Sequence, residues 1–301
     1  MTFGDWLGES VNRIRTDGTT GVTESAYEFY VGLCRNIGRY TNFGSNIFDE
    51  QWDVLVILDA CRWDLTWEMA PRYDFLDKTT TYSVASSSEE WMEKTFRTVD
   101  TSNVGYVTGN PFSRQTLDEN DFLLLDEVWE YAVDDEIGTI PADAVTDRTI
   151  QAHREHDPER LISHYMQPHY PFIPNPIDDG LPIDDFGGGS HDDVWDKLRR
   201  GEVSRDEVWK SYRANLEYVL DSVKTLLNSV EGRVVITADH GNLLGELGLY
   251  GHPDFVPIPA LKRVPWCRTI AKDQSTYEPA EWRNMSVEND RDELLKNLGY
   301  R

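Results

Sequence analysis

The chain has 301 residues, a formal net charge of -25 and 39% hydrophobic residues, including 10 Trp, which suffices for a full core under an acidic surface. Such a surface repels nucleic acid and anionic membranes unless salt screens it. The three widely spaced cysteines, Cys34, Cys61 and Cys267, exclude a zinc knuckle or a disulfide framework of the usual kind.

In chain order, Ala26, Phe29, Tyr30, Leu33 and Ile37 fall at helical spacing between Thr23 and Tyr40, so an amphipathic helix precedes the first strand and is expected to pack on the sheet rather than meet a partner. The apolar run from Trp52 to Leu58 reads as a strand that delivers Asp59. Thr79 to Val84 reads as a second strand and Glu89 to Phe96 as a helix, with Ser86, Ser87 and Ser88 in the turn between them. Free backbone N–H groups at that helix start suit a bound anion. Asn103 to Thr108 is a short strand ending in the turn Gly109-Asn110-Pro111.

Helical patterns follow over Asp121 to Val133 and Ala142 to His156, and Leu161 to Met166 reads as a buried strand leading into Gln167-Pro168-His169-Tyr170. The Asp-, Gly- and Pro-rich stretch from Pro174 to His191 reads as a surface excursion or lid. Ser204 and Glu207 form a capping-box pattern ahead of a helix whose apolar face carries Val208, Tyr212, Leu216, Val219, Val223, Leu226 and Leu227. Its length suits a crossover into the strand Val234 to Ala238, which delivers Asp239 and His240. Alternating strands and helices predict a three-layer α/β/α sandwich around a mainly parallel sheet.

In such sheets ligands bind at the carboxyl ends of the strands, where Asp59 and Asp239-His240 stand. Two carboxylates, an imidazole and a deprotonated serine from the Ser86–Ser88 turn make a four-ligand set for a divalent cation, with zinc or manganese favoured over magnesium or calcium. The metal would lower the serine's pKa and act as a Lewis acid on a phosphoryl or sulfuryl oxygen. Arg62, just beyond Asp59, could clamp an anionic ester or form a salt bridge to Asp64.

The segments ILDACRWD, the serine turn with Glu89-Glu90-Trp91, HYMQPHYPF and ITADHGNLLGE, followed by Gly251-His252-Pro253, resemble the alkaline phosphatase superfamily, and within it the small sulfatase-like proteins of haloarchaea. The resemblance runs from about Trp52 to Trp266. It implies an alkaline phosphatase-like domain over residues 49–301 behind a helical extension at 1–48, with Asp59, Asp239 and His240 as metal ligands. It also implies a nucleophile at Ser88, with Ser87 the alternative, and substrate-side histidines at His169 and His252. Sulfatases of the family modify a cysteine in a Cys-x-Pro-x-Arg motif, which no cysteine here matches. Cys61 reads as a small buried residue.

The expected function is therefore metal-dependent hydrolysis or transfer of phosphate esters through a serine nucleophile. The alternatives are sulfate ester hydrolysis with an unmodified serine, or a pseudoenzyme that binds a metal or glycan without turnover. The expected substrate is a phosphorylated or sulfated small molecule or glycan. No run reaches the roughly 18 apolar residues of a membrane span and no leader pattern opens the sequence, so the expected setting is cytoplasmic. The acidic composition further suggests a halophile.

Overall fold

A computed structural model describes residues 3–41, 43–134, 136–177 and 193–282. The helices are α1 (Phe3–Asp17), α2 (Thr19–Arg39), α3 (Trp63–Met69), α4 (Ser88–Phe96), α5 (Ser113–Thr116), α6 (Ala142–His156), α7 (Val194–Arg200), α8 (Arg205–Leu227) and α9 (Pro259–Lys262). The strands are β1 (Val54–Leu58), β2 (Thr80–Tyr82), β3 (Val104–Thr108), β4 (Leu124–Glu127), β5 (Arg160–Tyr165), β6 (Gly232–Thr237), β7 (Leu243–Leu244), β8 (Tyr250–Gly251) and β9 (Arg263–Ala271).

The central sheet runs β2-β9-β6-β1-β5-β3-β4. From β6 to β4 all neighbours are parallel, while β9 lies antiparallel to both β6 and β2. Strand β1 sits in its middle and is buried along its whole length, which is why it reads as an unbroken apolar run. Alternate residues feed two cores. Val54, Val56 and Leu58 pack with Leu65 of α3, Val145 and Ile150 of α6, and Leu216 and Val219 of α8. Leu55 and Ile57 pack on the opposite side with Trp91 and Met92 of α4. Helices on both faces of a mainly parallel sheet make the expected three-layer α/β/α arrangement.

Helix α8 begins as its sequence predicts, with the Ser204 Oγ accepting the Glu207 N–H at 3.2 Å. The Asp121–Val133 pattern is not a helix. Leu124–Glu127 forms the parallel edge strand β4 beside β3, and a short 3₁₀ turn follows at Val128–Glu130. The apolar residues there are few enough to satisfy either period, and pairing with β3 decides the outcome.

The N-terminal helix also departs from expectation. Ala26, Phe29, Tyr30, Leu33 and Ile37 face outward, and α2 packs on the body through Tyr27, Val31 and Cys34 instead. Gly38 permits this docking, because a Cβ there would lie 1.4 Å from the carbonyl oxygen of Phe255. The Pro174–His191 excursion falls largely outside the described residues. Among the described residues no helix is long and apolar enough to cross a membrane.

Candidate metal and ester site

Five parallel strands point their carboxyl ends the same way, so residues distant in sequence arrive at one edge. Asp59 leaves the end of β1 and Asp239 and His240 follow β6, its neighbour in the sheet. Their ligating atoms all lie within 4.8 Å of one another, and all three side chains are buried. The turn after Asp59 puts Ala60 in the left-handed region at φ 57°. This lets the Ala60 N–H donate to Asp239 Oδ1 at 3.0 Å. Tyr212 of α8 pins the same turn, since its hydroxyl donates to the Ala60 carbonyl and accepts the Arg62 N–H.

Ser88 is the first residue of α4, and its Oγ enters this group. It lies 2.7 Å from Asp239 Oδ2, 3.2 Å from His240 Nε2 and 3.4 Å from Asp59 Oδ2. The His240 Nδ1 faces the Gly241 carbonyl at 2.7 Å. A carbonyl only accepts, so Nδ1 donates to it, and the ring turns its Nε2 toward Ser88. Gly241 itself is demanded by close approach, because a Cβ there would meet the Ala260 carbonyl oxygen at 2.2 Å.

Burial works against charge on Asp239, but His240, the Ser88 hydroxyl and the Ala60 N–H outweigh it and hold the carboxyl below its ordinary range. Two carboxylates, an imidazole nitrogen and a hydroxyl thus converge on one point, and this oxygen and nitrogen donor set would suit a divalent cation such as zinc or manganese.

A second imidazole pair adjoins the first. His252 stacks at a tilt over His240 with ring centroids 4.8 Å apart, and its Nε2 lies 2.9 Å from Nε2 of His169. His169 Nδ1 donates to the Tyr170 carbonyl, so its Nε2 accepts and the shared proton sits on His252 Nε2. Burial keeps both rings neutral, pushing His169 down to about 4 and His252 well below the usual range. A cleft of about 200 Å³ opens beside them, lined by Ser87, Glu89, His252 and Trp195 together with Tyr27 and Arg35 of α2. A larger cleft of about 790 Å³ lies behind α4 near Arg97 and Asp121, among residues that take no part in this cluster.

The structure therefore brings together Asp59, Ser88, Asp239, His240, His169 and His252. Ser87 is the residue before α4, and its buried Oγ makes no hydrogen bond among the described residues. Arg62 is committed elsewhere. Its guanidinium donates to both oxygens of Asp64, to Glu246 and to the Asn242 carbonyl, all at 2.7–2.9 Å. The salt-bridge alternative is what the structure contains, and a clamp on substrate would have to break it. The Cys61 thiol is fully buried and pushed up to about 12 by that burial, so it is inert at neutral pH.

Two partners were not singled out from the sequence. Asn110 follows β3 and donates from Nδ2 to Asp59 Oδ2 at 2.7 Å. His164, within β5, lies 3.8 Å from Asp239 Oδ2 and bonds through Nδ1 to the Tyr106 hydroxyl at 2.7 Å. Both sit at or near the carboxyl end of a parallel strand, the same signal that exposes Asp59 and Asp239. In the sequence, however, Gly109-Asn110-Pro111 looks like any turn.

No protein-family model matches the chain, and no curated protein does. Solved structures similar to it include the soluble domain of lipooligosaccharide phosphoethanolamine transferase A from Neisseria meningitidis, at 15% identity and a TM-score of 0.47, covering 82% of this chain and 89% of that one. A 2-O GAG sulfatase is similar at 11% identity and a TM-score of 0.45, covering 84% and 71%. The lipoteichoic acid synthase LtaP from Listeria monocytogenes is similar at 13% and 0.42, covering 83% and 72%.

Proposed function

We propose that this chain cleaves or transfers phosphate esters, using Ser88 as nucleophile beside a divalent metal held by Asp59, Asp239 and His240. The observation that carries the reading is the Ser88 Oγ, buried at a helix start and within 3.4 Å of all three side chains. A bound zinc or manganese ion would supply positive charge that lowers the Ser88 pKa and polarises an ester oxygen. Asp239 Oδ2 accepts the Ser88 proton along their 2.7 Å contact. The Oγ forms a bond to phosphorus as the bond from phosphorus to the ester oxygen breaks.

The departing alkoxide takes its proton from water, while the neutral His252, held by His169, borders the cleft on the substrate side. Water then takes the phosphoryl group from Ser88 in a hydrolase, and a second alcohol does so in a transferase. Either way the bond from phosphorus to Oγ breaks, Asp239 returns its proton to Oγ, and the serine hydroxyl is restored. The start of α4 adds backbone N–H groups and a favourable dipole for the anionic ester. The substrates that suit this chemistry are phosphorylated small molecules or glycans.

The test is turnover of p-nitrophenyl phosphate and p-nitrophenyl sulfate by wild type, Ser88→Ala and Asp239→Ala, with metal analysis of each. The expected result is phosphate turnover that needs added zinc or manganese, falls about 10³-fold or more in Ser88→Ala, and disappears with the metal in Asp239→Ala. Full activity in Ser88→Ala, or unchanged metal affinity in Asp239→Ala, would overturn the proposal.

A further inference from the structure

Two backbone segments must be held in register for this site to form: the turn that presents Ser88 and the loop after β8 that presents His252. Both end on one buried carboxylate. Glu90, 4% exposed on the first turn of α4, accepts the Ser86 N–H and the Ser86 hydroxyl, both at 3.0 Å, and the Phe255 N–H at 3.0 Å, all on Oε2. The Ser86 Oγ continues the tie, accepting the Val256 N–H at 3.1 Å and standing 3.0 Å from the Pro253 carbonyl. Lys94, one turn along α4, neutralises Glu90 from its other oxygen at 2.6 Å.

Phe255 is held with φ 57°, in the left-handed region that a bulky residue enters only at an energetic cost. An anchored N–H at that residue offsets the cost. Ser88 and His252 both flank His240, so a slip between the two segments would change the spacing between the hydroxyl and the imidazole pair.

We propose that Glu90 is a positioning residue, whose carboxylate locks the turn carrying Ser88 to the loop carrying His252. The proposal rests on the roles given above to Ser88 and His252. Glu90 touches no reacting atom, and its effect runs through geometry. Misplacement by about 1 Å costs on the order of 10²-fold in rate, so the clamp should govern kcat rather than metal binding, whose ligands lie outside it.

The experiment compares wild type, Glu90→Ala and Glu90→Gln for kcat and KM on p-nitrophenyl phosphate, for zinc affinity, and for amide exchange at Ser86 and Phe255. In Glu90→Ala the expected result is a loss in kcat of about ten- to a hundredfold, unchanged zinc affinity and faster exchange at both amides. Glu90→Gln keeps an acceptor oxygen and should recover most of kcat and of the protection. A folded Glu90→Ala with wild-type kcat, or a Glu90→Gln as impaired as Glu90→Ala, overturns the proposal. If Glu90→Ala does not fold, Ser86→Ala decides, and wild-type kcat there overturns it as well. If the wild type is inert toward the ester, the reading of the site falls, and the clamp is judged by exchange alone. Equal exchange at Phe255 in wild type and Glu90→Ala, or in Ser86→Ala if Glu90→Ala is unfolded, then sinks it.

Discussion

Helices α8 and α2 carry the same kind of pattern and do opposite things with it. Each spans more than five turns with one apolar stripe. In α8 that stripe is fully buried, with Val208, Tyr212, Leu216, Val219, Val223 and Leu226 all at 0% exposure. In α2 it faces outward, with Phe29, Leu33 and Ile37 at 51%, 50% and 55%. The difference lies in the chain's connectivity. Helix α8 leads into β6, so its apolar side has to lie on the sheet. Helix α2 precedes β1 across a longer connection and docks through Tyr27, Val31 and Cys34, with Gly38 letting the backbones touch. Periodicity reveals that a face is apolar, and the neighbouring elements decide what covers it.

The contrast can be broken most directly in the core. Leu216→Ala should destabilise the protein by about 2–5 kcal/mol, read as a shift in the urea midpoint. A loss under about 1 kcal/mol would mean that α8 is not the packed layer described here.

Next in size is the support of the site. Asn110→Ala removes a donor to Asp59 while leaving every proposed ligand in the sequence, and loss of such an outer partner typically costs about 10–100-fold in metal affinity. Titration of the metal-free protein with zinc measures this. An unchanged affinity would detach Asn110 from the site.

A pH series separates the two regions again. His164 and His169 lie in the body, each buried and pushed down to about 4, whereas the stretch 1–41 contains no histidine. An unfolded histidine takes up its proton near pH 6.5. Between about pH 6.5 and 4 the unfolded chain therefore binds more protons than the folded one, and stability falls as the pH drops through that window. Calorimetry with the metal chelated should show the thermal midpoint declining there. A flat midpoint would contradict the neutral, buried imidazoles.

The smallest effect belongs to the exposed stripe. Leu33→Ser should change stability by no more than about 0.5 kcal/mol, as at other surface positions. A loss of several times that, growing with protein concentration, would show the face of α2 to be covered in solution.

The site was legible in the sequence where a residue type and a strand end coincided. Asp59, Asp239 and His240 combine ligating chemistry with the carboxyl end of an unmistakably apolar strand, and the serine turn stands before a well-marked helix. Ser88 could not be separated from Ser87 on that basis, because one residue along a helix start turns the side chain by about 100°, and only the packed α4 sets which hydroxyl enters. The commitment of Arg62 to Glu246, 184 residues away, was equally out of reach. The edge strand β4 is not legible in the sequence for a related reason, since its short run of apolar residues fits two periods and pairing with β3 selects one.

The central claim is that Ser88 attacks the ester. Its most direct test is to mix the zinc- or manganese-loaded protein with excess p-nitrophenyl phosphate, quench in acid during turnover, and locate the covalent phosphate by peptide mass mapping. The account predicts phosphate on Ser88, and none anywhere in Ser88→Ala. Turnover accompanied by phosphate on Ser87, or by no phosphoserine at all, would contradict it.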